Sequence, residues 1–309
     1  MSRALAWVGA RARWLLLIGA VLALFVPNLA SFLRPALPAF VAAIFAVAMV
    51  RIDLAALLRR AVRPARLART LGAVAALLVA TPILLAGLAW VAGFEGSLRE
   101  AVIYAAASPP IASSAAFCLL LGLDAALALE VSILASFLVP VLGPPVCWLL
   151  LGEAVALDAG ALALRLGAMV AAGTVAALAL RRWIGAERIE ASGAAFDGAA
   201  ALVLLVFVIP LFDGVAELLV QRPWLSLGVL ALVFAVNFGL QVATALAGRG
   251  AGPEAGAQGV MAGNRNCSLY LAALPADPVL GLYVALYQFP IFGTPLLLGR
   301  FYARFTDRS

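Results

Sequence analysis

The 309-residue chain contains no histidine and no lysine, and only 12% of it is charged. Without histidine it lacks the commonest general acid–base group and the commonest metal ligand. Without lysine it cannot form a Schiff base. Its three cysteines, Cys118, Cys147 and Cys267, lie far apart inside apolar runs, with no paired spacing for zinc or a redox couple. They read as small buried hydrophobes, and neither a metal nor a cofactor is expected. A typical globular chain is about 25% charged, so this one has too few polar groups to cover a water-facing surface. Hydrophobic residues make up 66% and the mean hydropathy is +1.12. The composition is that of an all-α polytopic membrane protein, with the lipid bilayer as its surroundings.

Ten apolar runs approach the ~20 residues that cross ~30 Å of hydrocarbon. Their approximate limits are 14–33, 36–51, 70–92, 99–121, 125–150, 160–181, 198–220, 224–247, 254–275 and 278–300. The first lacks a small-residue cleavage site and is read as a retained span rather than a signal peptide. With the N-terminus inside, sixteen arginines fall in cytoplasmic segments: Arg3, Arg11, Arg13, Arg51, Arg59, Arg60, Arg63, Arg66, Arg69, Arg181, Arg182, Arg188, Arg249, Arg300, Arg304 and Arg308. Only Arg34, Arg99 and Arg222 fall outside. This bias orients ten crossings with both termini cytoplasmic. It also explains the formal charge of +6 without a nucleic-acid partner. The exclusive use of arginine fits a GC-rich bacterial genome, hence an inner membrane. The basic stretch Arg51–Arg69 reads as an interfacial loop, with a lipid-phosphate or partner contact as the other reading; no protein partner is evident.

Ten spans divide into five plus five. An odd number per half inverts the second half, a transporter plan in which substrate sites form where discontinuous helices meet. The fourth and ninth spans, which correspond, are both interrupted. In the fourth, Ser108-Pro109-Pro110-Ile-Ala-Ser113-Ser114 removes two amides and opposes the carbonyls of Ala105 and Ala106. Ser108 is pushed out of helical geometry, and Ser113 and Ser114 suit the start of a new helix. In the ninth, Gly263-Asn264-Arg265-Asn266-Cys-Ser268 places an arginine about 11 residues past the cytoplasmic edge, roughly 16 Å deep. An arginine there costs at least ~2.5–3.5 kcal/mol on insertion scales, so it is expected to face a cavity or a partner. Two restarted half-helices and a guanidinium would suit an anion.

These motifs, with Gly122 to Ser132, resemble the bile acid:sodium symporter family over essentially the whole chain. The resemblance implies one transmembrane transporter unit over 1–309, with broken helices four and nine crossing. A panel domain would span approximately 14–51 and 160–220, and a core domain approximately 70–150 and 224–303. Small organic anions would bind in the crevice between them by alternating access. The family's sodium ligands carry over unevenly. Ser113 and Ser114 stand at its Ser-Asn pair, Ala128 and Ser132 at two helix 5 hydroxyls, Met261 at a glutamate, Arg265 at a glutamine beside the retained Asn266, and Leu77 at a helix 3 glutamine before Pro82. An arginine standing where sodium ligands are lost implies that Arg265 supplies the positive charge for an anionic substrate, leaving sodium coupling doubtful. The expected substrate site comprises Arg265, Asn264, Asn266, Ser113, Ser114, Pro109 and Ser268, with Asn237 and Gln241 on helix 8 and Asn28 on helix 1.

Ser114, Ser132 and Glu130 are the candidates for ion coupling by Na+ or H+. Against coupling, Glu130 lies about 200° around the helix from Ala128 and on the far side from Ser132. A structural role against another helix or the cytoplasmic rim is therefore the favoured reading, with coupling or a pair with Arg265 as the other. Asn237 and Gln241, four apart, share a face and either bond between helices or line a cavity. A sodium- or proton-coupled symporter of bile-acid-like or keto-acid substrates is the alternative within the class. Outside it stand a channel and an intramembrane enzyme. The enzyme is disfavoured because no histidine is present and Asp53, Asp124, Asp158, Asp197, Asp213, Asp277 and Asp307 mostly flank spans.

Overall fold

The computed structural model describes residues 2–53, 64–152 and 158–306. Arg59, Arg60, Arg63, Asp307 and Arg308 lie outside the described residues, as do the side chains of Arg3, Arg13 and Asp197. The basic loop is therefore seen only at its two ends. The structure is 84% helical, with no strand among the described residues.

In chain order the helices are α1 (Ser2–Ala10), α2 (Ala12–Ala23), α3 (Pro27–Leu33), α4 (Leu37–Val50), α5 (Pro64–Ala75), α6 (Thr81–Val91), α7 (Gly96–Ala107), α8 (Ser114–Leu120) and α9 (Ala125–Leu151). There follow α10 (Ala159–Ile184), α11 (Ala186–Ala191), α12 (Gly193–Leu211), α13 (Val215–Gln221), α14 (Pro223–Ala247), α15 (Pro253–Gly263), α16 (Ser268–Ala273), α17 (Pro278–Leu297) and α18 (Gly299–Ala303). Six uninterrupted stretches are long and apolar enough to cross a bilayer: Pro27–Val50, Arg66–Val91, α9, α10, α14 and α17. Gly198–Leu211 with Val215–Gln221 makes a seventh, bent by 46°. The protein is an all-α membrane protein. Trp183 and Trp224, 83% and 84% exposed, would be out of place on a water-covered surface but suit a lipid-facing one.

Asp124, Asp158 and Asp277 start α9, α10 and α17 by accepting the amides of Leu127, Ala161 and Leu280 at 2.9, 2.9 and 2.7 Å. A side-chain acceptor for otherwise orphaned first-turn amides stabilises a helix start by ~1 kcal/mol.

The helices at the start of the chain are cut differently from the expected spans 14–33 and 36–51. The chain turns over Leu24–Val26, and a 24-residue helix then begins at Pro27. Proline suits that first position, because its fixed φ is already helical and its missing amide would be unpaired there anyway. The expected break at Arg34-Pro35 is only one 3₁₀ turn, Arg34–Ala36, between α3 and α4. Pro38 falls in the first turn of α4, where it interrupts nothing.

The helices pack in two groups. In the first, α1 and α2 lie on α12, α4 lies on α10, and α12 also touches α4. In the second, α14 packs on α15 and α17, α7 on α6 and α17, and α8 on α9 and α15. The groups meet where α9 runs beside α10 and where α16 touches both α4 and α10.

Candidate functional site

α7 ends at Ala107 because Ser108 is extended (φ −71°, ψ 148°), as a residue before proline prefers. Pro109 and Pro110 follow, and helix resumes as α8 after Ser113, whose side chain does not cap it. α15 ends at Gly263, and Asn264–Cys267 lead into α16. The two unwound segments pair antiparallel at Pro110 and Arg265. The Ile111 amide donates to the Asn264 carbonyl at 2.9 Å, and the Asn266 amide to the Pro109 carbonyl at 2.8 Å. Each break thus supplies backbone partners that the other lacks, which is how irregular backbone survives at membrane depth.

Arg265 lies at this pairing and is 1% exposed. Its Nε donates to the Ala262 carbonyl at 2.9 Å, one terminal nitrogen to the Ser108 carbonyl at 3.0 Å, and the other to the Leu77 carbonyl at 2.9 Å. All three acceptors have lost their ordinary partners. Ala262 would accept from the Asn266 amide, which is turned toward Pro109. Ser108 lies past the end of its helix. Leu77 sits in a π-helical turn, Ala76–Ala80, where the Thr81 amide bonds Ala76 instead. In that register the next donor would belong to Pro82, which has none. One guanidinium therefore serves main-chain oxygens from three spans. Among the described residues no carboxylate pairs with it, so its charge meets only carbonyl dipoles.

Beside it, Asn237 and Gln241 are fully buried and tie α14 to its neighbours. Asn237 donates to the Gly263 carbonyl at 2.8 Å and the Asn264 Oδ1 at 3.3 Å. Gln241 donates to the Asn237 Oδ1 and to the Thr294 hydroxyl. Tyr302 donates to the Gln241 Oε1, Thr294 to the Asn264 Oδ1, and Tyr287 to the Gly263 carbonyl. Of the two readings for this pair, hydrogen bonding between helices is what the geometry displays. The close fit requires glycines, since a methyl at Gly259 would stand 2.6 Å from the Gln241 carbonyl oxygen, and one at Gly263 would strike that of Asn237.

The remaining expected residues divide. Pro109, Asn264, Asn266 and Ser268 belong to the crossing, with the Ser268 hydroxyl donating to the Asn266 Oδ1 at 2.6 Å. The hydroxyls of Ser114 and Ser132 and the Asn264 Nδ2 are buried with no hydrogen-bond partner. Ser113 and Asn28 are exposed, and no described hydrogen bond joins the Asn28 side chain to the crossing. Glu130 is 4% exposed and takes a bidentate pair from Arg66, both contacts 2.7 Å. It faces the start of the Arg66–Val91 stretch rather than Arg265. Sequence reasoning missed the Leu77 carbonyl, Thr294, Tyr287 and Tyr302; the adjacent Thr81-Pro82 was the one sign of the π turn.

Compared with known proteins, the sequence matches no family model and no curated protein.

Proposed function

We propose that the protein is a secondary active transporter moving a small organic anion across a bacterial cytoplasmic membrane. In this reading it has ten spans in an inverted five-plus-five repeat and resembles the bile acid:sodium symporter family. The first packed group acts as panel and the second as core. Paired features of the two halves support the repeat: the first span packs on the seventh as the sixth packs on the second. Asp124 starts the fifth span while its amide bonds the Pro253 carbonyl at the head of the ninth. Asp277 starts the tenth while accepting from Ser97 at the head of the fourth.

The observation that carries the reading is the guanidinium of Arg265, held by three orphaned carbonyls at the crossing of two broken helices. A cage of backbone oxygens is what a bound alkali cation would require; here a covalently attached cation fills it. Three of its five N–H donors are bonded to the main chain and the side chain is buried, so it acts on a substrate mainly through its charge, which low dielectric preserves. Uptake of organic anions into proteoliposomes tests this: transport that persists without sodium and is lost in Arg265→Met supports it, and strict sodium dependence refutes it.

One observation favours a cation-coupled alternative. The partnerless hydroxyls of Ser114 and Ser132 leave oxygen ligands free on α8 and α9, and a saturable sodium or proton requirement abolished by Ser132→Ala would select it.

A further inference from the structure

The first group of helices sends two arginine side chains to the same target in the second. Arg34, in the 3₁₀ turn between α3 and α4, donates to the Leu271 carbonyl at 3.2 Å. Arg165, on α10, donates to the Ala273 carbonyl at 2.8 Å. Both acceptors lie in the last turn of α16, the second half of the broken ninth span. They are available because the chain beyond cannot serve them. The residue four after Leu271 is Pro275, which has no amide, and the backbone turns extended at Leu274. Arg34 and Arg165 thus serve as side-chain caps for a helix that belongs to the other group.

Toward the opposite end of the molecule, three arginines make contacts within a single group. Arg66 with Glu130 and Arg69 with Glu254 tie members of the second group to one another. Arg181 donates to the Val50 carbonyl within the first. The two bridges from Arg34 and Arg165 stand on the side where α16 ends, which the arginine distribution makes extracellular.

We propose that Arg34 and Arg165 form a latch that holds the α16 end of the crossing against α4 and α10, and that its release opens the pathway on that side. The inference rests on the transport reading. A charge-assisted hydrogen bond to a carbonyl is strong enough to bias a two-state equilibrium by about a decade, and two such bonds by about two decades. Neither is locked by a carboxylate on α16, so release leaves no buried acid exposed.

The test reads accessibility directly. Cysteine replaces Ala273, which is 2% exposed, and its labelling by a membrane-impermeant maleimide is timed from each side of proteoliposomes. Arg34→Ala and Arg165→Ala are each expected to raise the rate from one side by about tenfold, and together by up to about a hundredfold. Arg69→Ala, at the other end, is expected to leave it unchanged. Buried Cys118 reports unfolding; if the alanine variants expose it, the glutamine variants, which keep most of the bulk, are read in their place. An unchanged Ala273→Cys rate in the double variant overturns the latch, whatever the transport assays give. A raised rate in a protein that moves no anion upholds the latch as a hinge contact and removes the transport reading instead.

Discussion

Replacing Arg265 by methionine keeps most of the side-chain volume while deleting every donor, so three buried carbonyls, of Leu77, Ser108 and Ala262, lose their partner at once. A buried polar group left unsatisfied costs about 1–3 kcal/mol. Three of them would cost about 3–9 kcal/mol, less what is recovered by no longer burying a guanidinium without a counter-ion, itself several kcal/mol. The net expectation is a loss of about 2–5 kcal/mol. At somewhat under 2–4 °C per kcal/mol for a chain of this length, the melting temperature in detergent should fall by about 5–10 °C. The diagnostic is rescue. Arg265→Ala leaves a void walled by the same oxygens, so millimolar methylguanidinium or sodium should restore part of the lost melting temperature, while choline should not. Saturating rescue at 100 times the dissociation constant is worth about 2.7 kcal/mol. If Arg265→Met melts with the parent, and Arg265→Ala answers no cation, the carbonyl cage is not what holds the crossing together.

Three further outcomes follow from the same contacts. Met261→Glu combined with Arg265→Gln returns to this site the residue types that the family resemblance implies, and should make the melting temperature rise with sodium where the parent is indifferent. Gly259→Ala drives a methyl into the Gln241 carbonyl and should cost about 1–3 kcal/mol; no loss in thermal unfolding would mean that α14 and α15 have room to separate. Glu130→Gln should lower stability and couple to Arg66→Gln by about 1 kcal/mol in a double-mutant cycle, with the pH dependence of uptake unmoved; a displaced pH profile would give Glu130 a coupling role instead.

The class of protein and the places where its helices break are legible in the sequence because they depend on side-chain chemistry. Hydropathy sums over twenty residues, Pro109-Pro110 deletes two amides wherever it stands, and Arg265 cannot lie in lipid unaided. What Arg265 touches is not legible, because its partners are main-chain oxygens that every residue type carries. Whether a carbonyl is free depends on register, and a single π turn at Ala76–Ala80 reassigns Thr81 from one acceptor to another. The first boundary failed for a related reason. Pro27, Pro35 and Pro38 are alike as letters, and only the direction of the chain decides which one starts a helix and which ones ride in its first turns. Glu130 was legible as a face but not as a pair, since Arg66 lies 64 residues away on a helix whose rotation no local pattern determines.

A tethered cation has a consequence for energetics that a bound one does not. A sodium ion that enters with substrate and leaves with it couples the two gradients, because each must be released for the cycle to turn. If the protein transports an anion as proposed, the charge on Arg265 is never released, so it would lower the cost of holding the anion in the membrane equally at both ends of the cycle. It would then bias affinity without contributing direction. On the proposed reading, any driving force must come from the substrate's own gradient, from the membrane potential acting on its charge at about 2.3 kcal/mol per 100 mV, or from a second ion. The buried, partnerless hydroxyls of Ser114 and Ser132 are where that ion would be sought. The three cases separate in proteoliposomes. Anion uptake that follows an imposed potential but ignores sodium and pH leaves Arg265 as the sole cation of the site, whereas uptake that stalls at every potential until sodium or acid is added requires a second one.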